Sequence, residues 1–62
     1  MTDVMLSLEL TESEALALAQ FVKRVTWNEM RACAVDEAEC YEIRRGLDLL
    51  RQELNLQGYS PR

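Results

Sequence analysis

A chain of 62 residues holds one small domain, and a core of that size leaves only about 3–5 kcal/mol of net stability, so support from a second copy or a partner is expected. Hydrophobic residues at 48% with 29% charged residues exclude a disordered polymer. A net charge of −4 disfavours nucleic acid, whose affinity rests on Lys and Arg, and favours protein partners. No apolar run approaches the roughly 18 residues of a membrane span, and Asp3 and Glu9 break a signal-peptide pattern, which makes a cytoplasmic protein with no membrane contact the expectation.

In chain order, Val4, Leu6, Leu8 and Leu10 alternate with Met5, Ser7 and Glu9, the period of a half-buried strand over 4–10. Nothing later resembles a second strand, so pairing with another copy in a homodimer is one expectation. Thr11 then stands where a helix N-cap belongs, with Glu14 three residues on; "TESE" predicts a capping box and a helix over 12–25. Ala15, Leu18, Ala19, Val22 and Val25 form its apolar stripe, widened by Leu16 and Phe21.

"TWNE" repeats the cap pattern at Thr26 and Glu29 and predicts a break and a short helix over 27–34, with a continuous helix as the alternative. "VDEAE", with Asp36 as cap, predicts a third over 37–57. In that last helix Cys40, Ile43, Leu47, Leu50 and Leu54 step by three and four, the seam of a core-facing helix. Gly46, mid-helix, suggests a close backbone crossing; Gly58 and Pro61 mark the stop before a tail over 58–62. The resulting fold class is mainly α: one short N-terminal β-strand followed by two or three helices.

Catalytic chemistry has little to draw on. The chain has no histidine, no glycine-rich phosphate loop and no cysteine with a base beside it, so a non-enzyme without cofactor is expected. Cys33 and Cys40 fit no common zinc spacing and read as reduced, packed thiols, with a disulfide between them as the alternative. The candidate contact residues are the acidic cluster Asp36, Glu37, Glu39 and Glu42, the aromatics Trp27 and Tyr41, and the outward strand positions Met5, Ser7 and Glu9. Carboxylates at a helix start serve capping and the dipole, or they present a patch to a basic protein groove; both readings stand at this point. Tyr59 reads either as a clamp over the last helix or as a further contact.

The order strand, helix, helix resembles ribbon-helix-helix proteins, in which two chains pair their strands and a strand face enters the DNA major groove. Met5, Ser7 and Glu9 at the matching positions lack positive charge, so a DNA-binding regulator or antitoxin is the alternative rather than the leading reading. A second resemblance covers nearly the whole chain. "ALAQFVKRV", "RACAVDEAECYEIRRGL" and "GYSPR" look like a family of small bacterial proteins that occur in phages, plasmids and other mobile elements. The resemblance implies that context and no established role; by analogy with anti-CRISPR proteins, the context together with the −4 charge, the acidic cluster and the unpaired strand makes an inhibitor that binds and occludes a host protein complex the leading expectation.

Overall fold

The computed structural model describes residues 2–60 and contains, among them, three helices and no strand: α1 (Glu12–Arg24), α2 (Trp27–Cys33) and α3 (Glu37–Leu56). Each helix begins where a side chain satisfies amides that the first turn leaves without partners. The Glu14 amide donates to Thr11 Oγ1 at 3.1 Å while the Thr11 amide donates to Glu14 Oε1 at 2.9 Å. Thr26 and Glu29 repeat the exchange at 2.9 and 3.2 Å. Leu10, just before the Thr11 cap, packs on the core cluster that contains Ala15, which makes it a staple across the first turn of α1.

The spine is α3, about 30 Å long for its 20 residues. Both α1 and α2 pack against it. Ala15 and Ala19 of α1 meet Leu54 of α3, with Leu18, Leu50 and Tyr59 around them; at the other end of α3, Cys40 is fully buried beside α2. The seam read from sequence is therefore the inner face of α3, with Cys40 and Leu54 buried and Ile43, Leu47 and Leu50 half-buried. The molecule measures 33 × 29 × 15 Å, little thicker than one helix with its side chains.

The N-terminal strand is a correction. Residues 2–10 form no strand, and Val4, Met5, Leu6 and Leu8 stand in solvent. A strand exists only through the ladder it shares with another, and the rest of the described chain is helix, turn or coil, which leaves this segment an arm with hydrated backbone. The ribbon-helix-helix topology is corrected with it. Gly46 is a second correction: apart from its own chain neighbours and helix backbone, nothing described lies within 4 Å of where its Cβ would stand, so no other backbone crosses there. Cys40 is packed as expected, whereas Cys33 is exposed; both are free thiols.

At the end of α3 the backbone turns through Gly58 at φ 94°, a left-handed conformation that strains other residues. The Tyr59 amide donates to the Leu54 carbonyl at 2.8 Å and the Gly58 amide to the Asn55 carbonyl at 3.0 Å, the paired bonds of a Schellman cap. Tyr59 thereby folds back onto Leu54, which assigns it to the clamp rather than to a free contact. The stop signal placed at Pro61, and the end of the tail, lie outside the described residues.

The two glycines are expected to respond in opposite directions. Gly46→Ala should raise stability by about 0.5–1 kcal/mol, since it adds helix propensity in open space. Gly58→Ala should lower it by about 1–2 kcal/mol, the cost of a left-handed non-glycine residue. Urea denaturation of both variants measures the pair.

Acid supplies a second test. The backbone amide of Thr11, and after it the Thr11 hydroxyl, hold the Glu14 carboxyl below the usual range; Thr26 does the same for Glu29. The folded state thus favours the ionised form, and on acidification the unfolded chain takes up these protons first. This part of the stability is complete above the unfolded carboxylate value of about 4.3 and is lost as pH falls through the lowered folded values. Thermal unfolding followed by circular dichroism should show the midpoint falling in that window, with a shallower fall in the Glu14→Gln, Glu29→Gln double variant.

Candidate functional site

The junction of α2 and α3 gathers most of the residues singled out in the sequence. Trp27 opens α2 and Tyr41 lies in the second turn of α3; their ring centroids are 4.8 Å apart with planes tilted by 58°, an attractive geometry for two aromatic quadrupoles. Trp27 is half-buried and Tyr41 is 51% exposed, so the pair is anchored on one side and open on the other. Beneath it, the Cys40 thiol points at the Trp27 carbonyl at 4.0 Å, a weak contact that helps fill the space between the helices.

The acidic cluster divides into two kinds of carboxylate. Asp36 and Glu39 are committed to the helix start: the Glu39 amide donates to Asp36 Oδ1 at 2.8 Å, and the Val35 amide donates to Glu39 Oε1 at 3.2 Å. Capping therefore accounts for these two. Glu37 and Glu42 take no part in the cap and are exposed. Glu37 precedes Tyr41 by four residues and so shares its helix face, next to the aromatic pair, whereas Glu42 lies about 100° further round the helix. Helix geometry thus sets Glu37 on the Tyr41 side of α3, near the Trp27–Tyr41 pair, and Glu42 on a separate face. Met5, Ser7 and Glu9 lie on the exposed arm, remote from the cap in sequence and not ordered by a strand.

Sequence reasoning missed the division of labour among these carboxylates. The reach of Glu39 to the Val35 amide, rather than to that of Asp36 itself, sets this cap apart from those at Thr11 and Thr26, and it accompanies a φ of −152° at Asp36 against −68° and −97° there, which residue types alone do not reveal. The neighbouring turn is closed by Arg31, whose guanidinium donates to the Ala34 carbonyl at 3.2 Å.

Concave surface is scarce at this scale. A recess between α1 and α3, bounded by Ala19, Leu54 and Tyr59, has a volume of about 30 Å³, room for water but not for a substrate. A wider hollow of about 350 Å³ along α1, floored by Ala17, Phe21 and Val25, is open to solvent. Among the described residues no group of three or more Cys, Asp or Glu is arranged to hold a metal ion, and no helix is long and apolar enough to cross a membrane.

Among the described residues, fold and surface define a class: a small three-helix protein with an apolar N-terminal arm, an open hollow along α1 and one aromatic-acidic corner. Within that class, the chain belongs to the family of unknown function DUF7706, whose model matches residues 1–62. No curated protein and no solved structure matches it.

The two kinds of carboxylate should separate on substitution. Asp36→Ala removes a cap acceptor and is expected to cost about 1 kcal/mol, while Glu42→Gln should stay within about 0.5 kcal/mol of the parent. Chemical denaturation of the two variants side by side measures the difference.

Proposed function

We propose that this protein is a non-catalytic binding module that occludes a host protein complex on behalf of a mobile genetic element, in the manner of anti-CRISPR proteins. The observation that carries this reading is the corner formed by Trp27, Tyr41 and Glu37: an aromatic pair anchored below and open above, beside a carboxylate that capping does not consume. Aromatic side chains supply contact area at low entropic cost, and interface cores are enriched in them. A net charge of −4 adds long-range attraction to a basic groove, raising the rate of encounter more than the final affinity.

The mobile-element context rests on the sequence resemblance described above, and the host complex is identified only by its chemistry, a basic protein surface. The bound protein would meet the α2–α3 corner, with Glu42 contributing at most to steering from its separate face. Catalysis has no part in this reading, since its residues act by shape and charge.

The test is capture from a bacterial host lysate with the tagged protein, followed by the Glu37→Arg, Tyr41→Ala double variant. Glu37 is exposed and takes no part in the cap, so Glu37→Arg alone should keep its helical circular dichroism and serves as the folded comparison, because Tyr41→Ala also removes packing against Trp27. Loss of most of the captured partner, with parent binding that weakens as salt rises, is the expected outcome. Capture unchanged by the double variant would remove the corner from consideration, and retention of duplex DNA in place of protein would overturn the reading itself.

A further inference from the structure

The molecule exposes more surface than a chain of its mass normally leaves in water. Its accessible area is 5551 Å², against about 4,100 Å² from the scaling law for folded monomers at 7.2 kDa, an excess of about 1,400 Å². The Cα radius of gyration, 12.6 Å, likewise exceeds the roughly 10.6 Å of a compact domain this long. A slab 15 Å thick explains both: domains bury apolar faces between packed layers, and this chain supplies little more than one.

The excess is apolar in identifiable places. On the arm, Val4, Met5, Leu6 and Leu8 are between 67% and 95% exposed. On α3, Leu49 and Leu56 are 63% and 77% exposed, and their seven-residue spacing stacks them on one stripe, turned away from the inner face that holds Cys40 and Leu54. The stripe is about 10 Å long, and the arm from Val4 to Leu8 reaches at most about 14 Å, so one covers the other.

We infer that the second layer is a second copy of this chain, in a symmetric homodimer in which the arm of each protomer packs its side chains over Leu49 and Leu56 on the outer face of the other's α3. No strand pairing is invoked; the arm acts through side-chain burial. An excess of about 1,400 Å² per chain surpasses the roughly 800 Å² that each partner contributes to a standard interface and falls within the range of obligate homodimers. The inference is independent of the proposed function, since the α2–α3 corner takes no part in it.

Light scattering behind size exclusion, over a concentration series, decides the matter with the full chain. The expected mass is twice 7.2 kDa. Leu6→Asp on the arm and Leu49→Asp on α3 alter exposed residues, so each should keep its helical circular dichroism. Because every substitution occurs twice in a symmetric interface, each should raise the dissociation constant about a hundredfold or more. A parent that remains monomeric at every concentration overturns the inference. So does a dimer that both variants leave intact, or any assembly other than two copies.

Discussion

The contact between Leu54 of α3 and the alanines at 15 and 19 of α1 is the one from which the arrangement follows. Small side chains on α1 let the longer helix approach closely enough for a single leucine to be buried between them. Leu10 closes this cluster from the N-terminal side and Tyr59 from the C-terminal side, so the start of α1 and the end of α3 are fixed to one place. The Schellman turn at Gly58 has its purpose here, because it directs Tyr59 back over the leucine instead of onward into solvent.

With so little buried, local interactions carry an unusual share of the specification. Three caps set where the helices begin, and two of them are reciprocal exchanges between a threonine and a glutamate three residues later. Such bonds depend only on neighbours in sequence, which is why the beginnings of α1, α2 and α3 can be read from "TESE", "TWNE" and "VDEAE". The inner seam of α3 was legible for a related reason: helical periodicity projects Cys40, Ile43, Leu47, Leu50 and Leu54 onto one side whatever lies opposite.

What could not be read depends on matters beyond the neighbouring residues. The alternation from Val4 to Leu10 is a true strand pattern, but it describes side chains and says nothing about whether a ladder is available. Only Leu10 of that series reached the core, and it did so as a helix staple. Gly46 was misread because its price in helix propensity suggested a compensating contact, and the space above it is empty. At the candidate corner, residue types pointed to Trp27, Tyr41 and the acidic run, while the separation of capping carboxylates from free ones required knowing which amide each oxygen reaches.

The shortness of α2 has a consequence for how the molecule moves. Its seven residues include none that is fully buried, and its hold on α3 comes mainly through the Trp27 ring and backbone beside Tyr41 and Cys40. Local opening free energy scales with the apolar surface a segment would expose, so α2 can detach and reclose while the α1–α3 seam stays closed. Its amides are therefore expected to exchange faster than those of α1 and α3, with each opening releasing Trp27 and uncovering the Cys40 thiol. The aromatic corner is thus carried on the least firmly anchored helix, able to readjust its angle to what it meets without disturbing the leucine that holds the rest together.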